Sequence, residues 1–144
     1  MDADFKKPFF TRVILGGLFA AIIATVINLV YNYIYRSLTE FSSSEIINIF
    51  TIIVATSLAH LIAALIYFLL TKSSSKTHLT FSIFFLILII ICIVIVLNAN
   101  RFTTNVSAVS GFNGLFIGIA VITGLSAEFL LPYFANHPKI WSEE

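Results

Sequence analysis

The chain has 144 residues, of which 59% are hydrophobic and 10% charged, against about 25% charged residues in an ordinary soluble domain. That composition excludes water as the solvent for most of its surface. A formal net charge of +1, from 8 Lys and Arg against 7 Asp and Glu, excludes the dense basic footprint of a nucleic-acid binder, and a single cysteine excludes an internal disulfide.

The opening segment is polar and mostly basic, with Lys6, Lys7 and Arg12 outweighing Asp2 and Asp4. The apolar run behind it, residues 13–35, exceeds the 7–15 residues of a signal-peptide core and reaches the roughly 20 that a spanning helix needs. It is therefore expected to be a retained transmembrane helix. At 100° per residue, Gly17, Ala20, Ala21, Ala24, Asn28, Tyr31, Asn32 and Tyr35 share one broad stripe. Lipid tails are as apolar as leucine, so helices associate there through close backbone approach and polar bonds. Gly17, Ala21 and Ala24 are accordingly expected to pack on other helices. Asn28 and Asn32 either line a polar site or form interhelical hydrogen bonds.

Ser42, Ser43, Ser44 and Glu45 suit a helix start, since hydroxyls accept from unsatisfied amides and a carboxylate favours the positive end of the dipole. The second span is expected over residues 46–71. It carries His60 near its middle, on a face with Thr56, Ser57, Ala64 and Tyr67. An ionisable group at that depth is a functional candidate by default. A neutral imidazole bonded to a hydroxyl or carbonyl of a neighbouring helix is the alternative.

A short basic loop, residues 72–78, precedes a third span over 79–97. This span lacks Gly and Ala, is apolar on every side and contains Cys92, which reads as a small hydrophobe. Without small residues it is expected to be the most lipid-exposed helix. After a polar connection with the sequon-like Asn105-Val106-Ser107, the fourth span covers 111–132. Gly111, Gly114 and Gly118 form its close-packing face, expected against the alanine stripe of the first span. Ala120, Thr123 and Ala127 lie on the opposite side, where a partner could dock. Glu128 is the chain's one carboxylate inside an apolar run.

These spans predict an all-α membrane protein: four transmembrane helices in an antiparallel up-down bundle, forming one integral membrane domain over residues 1–144. Lys6, Lys7, Arg12, Lys72, Lys76 and Lys139 collect on one side against Arg36 and Arg101 on the other. The positive-inside rule then places both termini of this multi-pass cell-membrane protein in the cytoplasm. Counting about 1.5 Å per residue from that side puts His60 level with Thr123 and about 9 Å from the depth of Glu128. Arg12, or Lys7 if the first helix sits deeper, is the expected ion-pair partner of Glu128. The same ruler brings Asn32, Asn48, Asn98 and Asn113 near the outer interface, as a polar vestibule or as ordinary helix ends.

No CxxC or HExxH spacing occurs, and His60, His78 and His137 fall on different segments, so neither a metal site nor a cofactor is expected. No nucleophile, base or acid pair stands at matching depth, so an enzyme is not expected. The expected partners are the lipid bilayer and a second copy or another membrane protein, with no nucleic acid. The expected role is that of a structural, accessory or oligomerising bundle. The alternative is a small-solute or proton-linked transporter or channel acting as an oligomer, with His60, the asparagines and Glu128 along its path.

Overall fold

The computed structural model describes residues 8–40, 47–73, 76–99, 106–137 and 140. Within them the chain is helical throughout, in four long apolar helices: α1 (Phe9–Thr39), α2 (Ile49–Ser73), α3 (Thr77–Ala99) and α4 (Val106–Asn136). All four are long and apolar enough to cross a membrane, as a membrane helical bundle requires.

The helix ends follow local chemistry. Pro8 precedes α1 with φ −51° and ψ 145°, and its carbonyl accepts the first helical bond from the Arg12 amide at 3.1 Å. The other end stops where Glu40 turns left-handed at φ 54°, after a last turn whose Arg36 favours the negative end of the dipole. The second helix begins three residues later than expected, because Asn48 caps it: the Thr51 amide donates to Asn48 Oδ1 and the Asn48 amide to Thr51 Oγ1, each at 2.9 Å. This reciprocal pair is a capping-box arrangement built from an asparagine and a threonine. Ser42, Ser43, Ser44 and Glu45 lie outside the described residues, as do Lys6, Lys7, Arg101, Asn105, Lys139 and both chain ends.

Pro132 does not end α4, which runs on to Asn136. A proline removes one helical bond, here to the Glu128 carbonyl. The turn beyond it is held by packing, since a Cβ built on Gly16 of α1 would lie 3.4 Å from the Leu131 carbonyl and 3.3 Å from the Ala135 amide.

Helix α4 packs against all three others, most extensively against α1. Along that seam Tyr35 meets Gly114, Tyr31 meets Gly118, Asn28 bonds Thr123 and Gly17 lies near Leu131. Gly114 and Gly118 therefore receive tyrosine rings and not the alanine stripe. A large ring set against a bare backbone fills the seam without a void, and the Tyr31 hydroxyl also donates to the Gly114 carbonyl at 2.9 Å. Gly111 is half-buried in the same helix. On α1, Gly17 serves α2: a Cβ there would come within 2.8 Å of Ala64 Cβ and 3.3 Å of the His60 carbonyl. Ala20, Ala21 and Ala24 are buried on the same stripe.

Helix α3 is the least buried of the four. Its contacts come through Phe81, Phe85, Ile89 and Val96, spaced at helical intervals on one side. The missing small residue is supplied by its neighbour, for Ile89 seats on Gly124 of α4. Near the loop joining α2 to α3, Tyr67 and Phe81 meet edge-on at 5.0 Å.

Two apolar layers result. One gathers Val13, Ala63, Ala64, Tyr67, Phe81, Phe85, Ala127, Leu131 and Ala135. The other gathers Ile47, Ile52 and Leu115, with Tyr31, Tyr35, Phe112 and Phe116 against them. Between these layers α1, α2 and α4 bury the polar side chains of Asn28, Thr56, His60 and Ser126.

Candidate functional site

That polar layer is a ring of side chains on three helices. Asn28 of α1 donates from Nδ2 to Thr56 Oγ1 of α2 at 3.0 Å and to Thr123 Oγ1 of α4 at 2.9 Å. His60, one turn beyond Thr56, places Nδ1 2.8 Å from the Thr56 carbonyl and Nε2 3.0 Å from Ser126 Oγ of α4. Ser126 Oγ lies 2.9 Å from the Thr123 carbonyl, which returns the chain of bonds to its start. Asn28 and His60 are fully buried, Thr56 is 1% exposed and Ser126 8%.

Hydrogen-bond valence fixes the histidine. A carbonyl only accepts, so Nδ1 carries the proton in the neutral ring and Nε2 is the acceptor toward Ser126. The single Ser126 proton then serves either Nε2 or the Thr123 carbonyl. Asn28 is less completely matched, because Oδ1 is buried without a partner, as is Thr25 Oγ1 one turn away. Rotating the amide by 180° would let both threonine hydroxyls donate to Oδ1, and would strand Nδ2 instead. In either orientation one amide atom lacks a partner.

The Ser126–His60 distance is one at which a base can activate a nucleophile. The dyad nevertheless lies between two packed apolar layers, and the two cavities at the α1–α2 end, lined by Asn32, Arg36 and Ile49, do not reach it. Its evident capacity is to hold three helices at one depth. Of the sequence-derived candidates, the structure brings Asn28 and His60 together and places Asn32 elsewhere. Asn32 is 8% exposed near the far end of α1, accepting from Arg36 Nε at 2.8 Å.

Glu128 stands apart from the ring. It is half-buried, and among the described residues no ion pair joins it to Arg12. The Arg12 guanidinium lies 5.4 Å from the Phe9 ring, with Nε buried and unbonded. The register explains the miss. With Gly17 beside Leu131 and Tyr31 beside Gly118, Glu128 is level with about residue 21 of α1, roughly 14 Å along the axis from Arg12. The Lys7 alternative lies outside the described residues.

The expected spare face of α4 is also consumed. Thr123 is in the ring, and Ala127 is 1% exposed inside the apolar layer. At the far end, Asn32 and Asn48 border a common cavity, whereas Asn98 is exposed and bonds its own helix at Val94. Asn113 keeps Oδ1 buried without a partner. Sequence reasoning did not single out Ser126 or Arg36. A signal for Ser126 was present, since it lies one turn from Thr123, the residue that the depth count set level with His60. Comparison with protein-family models, with curated proteins and with solved structures finds no match for this chain.

Proposed function

We propose that the chain is an integral protein of the cell membrane, its helices inserted as an antiparallel up-down bundle with both termini cytoplasmic. In this reading it acts as a structural or accessory bundle, alone, with a second copy or with another membrane protein. The observation that carries it is the ring of close polar contacts among Asn28, Thr56, His60, Ser126 and Thr123, which turns buried polar groups of α1, α2 and α4 toward one another at the bundle centre. Polar groups turned inward and Ile, Leu, Val and Phe turned outward suit a hydrocarbon solvent. Contact pairs whose numbers rise on one helix as they fall on the next support the up-down order. Arg12, Lys72 and Lys76 at one end, against Arg36 at the other, support the orientation.

The second reading is proton-linked or small-solute transport by an oligomer. It draws on the buried histidine and the unpartnered Asn28 Oδ1. Reconstitution in proteoliposomes separates the two. The structural reading expects no flux across a panel of ions and small solutes, and a discrete oligomer or co-purifying membrane protein in native mass spectrometry. Proton-dependent flux that disappears in His60→Ala and Glu128→Gln would overturn it.

A further inference from the structure

The ring leaves out one ionisable group of the spans. Glu128 lies on α4 two residues beyond Ser126, whose hydroxyl stands 3.0 Å from His60 Nε2, so its backbone is about 3 Å from the depth of the histidine. Eight residues, about 12 Å, separate it from Asn136 at the helix end. Helical side chains lean toward the N-terminus, which on α4 points Glu128 away from that nearer end. A glutamate side chain is too short to reach the headgroups from there.

Within the bundle the carboxyl has no partner. Among the described residues Glu128 takes part in no hydrogen bond and no ion pair. The buried, unbonded side-chain atoms there belong to Arg12, Thr25, Asn28 and Asn113. Neither Glu128 oxygen is among them, so the group opens onto the outside of the bundle, beside Leu125 and Phe129, which are 42% and 59% exposed. The adjoining side of α4 is closed, since Gly124 seats Ile89 of α3 and Leu131 lies near Gly17 of α1.

A lone carboxylate is costly in hydrocarbon, and a protonated carboxyl still has one donor and spare acceptors to satisfy. Donor and acceptor on one group make it self-complementary. A second copy inserted in the same direction carries its own Glu128 at the same depth, and a two-fold axis along the membrane normal sets the two groups face to face. No cation of a second copy competes at that level among the described residues. Arg12, Lys72 and Lys76 stand at one end of the bundle and Arg36 at the other, and His60 is fully buried.

We infer that the chain forms a parallel two-fold dimer along α4, in which the Glu128 carboxyls of the two copies, in the protonated form, exchange a pair of hydrogen bonds with Leu125 and Phe129 packed around them. The inference rests on the membrane-inserted reading above and names the surface through which a second copy docks.

The test is sedimentation equilibrium of the full chain in density-matched detergent, comparing wild type, Glu128→Gln and Glu128→Leu. Leucine is expected to weaken the dimer about 10- to 300-fold, the scale of two interhelical hydrogen bonds. Glutamine keeps a donor and an acceptor and is expected to retain most of the affinity. Oxidative cross-linking in lipid vesicles, in a Cys92→Ser background that keeps Glu128, locates the interface and decides the matter if the leucine variant does not fold. Leu125→Cys is expected to cross-link, and Ile87→Cys, at a position 50% exposed on α3, is not. A wild-type monomer at all concentrations, a dimer unchanged by Glu128→Leu, equal losses with glutamine and leucine, or cross-linking at 87 without cross-linking at 125 overturns the inference. A wild-type monomer that instead recruits, through Glu128, a Lys- or Arg-bearing helix of another membrane protein overturns it as well. A chain that stays in solution without detergent would refute the membrane-inserted reading, a result distinguishable from a monomer in detergent.

Discussion

If Asn28 ties α1 to α4 through Thr123, the two side chains must be energetically coupled, and the size of that coupling can be set in advance. Side-chain hydrogen bonds between membrane helices average about 0.6 kcal/mol and reach about 1.7. A single substitution is a poor probe, because Asn28→Leu removes two bonds and also removes the buried, unpartnered Oδ1. Relief of such an orphan is worth about 1–3 kcal/mol in the opposite direction, so the net sign of the single variant does not report the bond. A double-mutant cycle with Asn28→Leu and Thr123→Val cancels the orphan, which is absent from both proteins that carry Asn28→Leu. The expected coupling is about 0.6–1.7 kcal/mol, read as unfolding free energies of the four proteins in bicelles. Asn28→Leu paired with Thr25→Val, whose hydroxyl takes no bond from Asn28, is expected to couple more weakly. A coupling to Thr123 below about 0.3 kcal/mol, the error of such cycles, would refute the ring as an energetic unit.

Further outcomes follow from the same geometry. The His60 ring should be protonated at Nδ1 when neutral, which nitrogen chemical shifts in a bilayer sample will show; a proton at Nε2 would contradict the bond to the Thr56 carbonyl. Ser126→Ala should cost about 1 kcal/mol in the same unfolding assay, against about zero for Ser57→Ala, which is outside the ring. Gly17→Ala should cost about 1–3 kcal/mol, because the added methyl meets the Ala64 Cβ and a backbone carbonyl that cannot swing away. Gly118→Ala should cost less, although its methyl comes closer to a neighbour, since that neighbour is the movable end of the Tyr31 ring; the expected loss is the Tyr31–Gly114 bond, about 0.6–1.7 kcal/mol. Gly124→Leu should raise hydrogen exchange in α3 while α1 and α2 keep their protection, since it displaces Ile89 from its seat.

Element positions were legible because each helix is a long, nearly unbroken apolar run. The four apolar runs at 13–35, 46–71, 79–97 and 111–132 lie inside or within three residues of α1, α2, α3 and α4. The ends were less legible, for two different reasons. Asn48 starts α2 because its side chain satisfies an amide, a choice that apolar periodicity does not register. Pro132 stays inside α4 because Leu131 and Ala135 pack against α1, and that contact belongs to another part of the chain. The depth ruler was off by about a turn even near the middle of the helices: Thr123 shares the Asn28 amide with Thr56, and His60 lies level with Ser126, two residues from Glu128. It failed for Arg12 and Glu128, since an error in where α1 begins and α4 ends moves such residues by whole turns.

The partner of a small residue is the thing a single helix cannot declare. The glycine spacing on α4 announces a close approach, and alanine on α1 is the obvious complement if both surfaces are to be flat. The chain solves the seam with Tyr31 and Tyr35 laid over Gly118 and Gly114, and gives its closest backbone approach to Gly17 against Ala64 and the His60 carbonyl. That choice has a consequence for the ring. Gly17 brings α1 onto the helix that carries His60, and the tyrosine seam sets α1 against the helix that carries Ser126 and Thr123. Asn28 then reaches hydroxyls on both neighbours. A one-residue slip of α1 against α4 would shift Asn28 by about 1.5 Å and turn it about 100° around the axis, breaking the bonds to Thr56 and Thr123 together. A buried polar group that is satisfied in one register alone selects that register, and this is the physical work the ring performs.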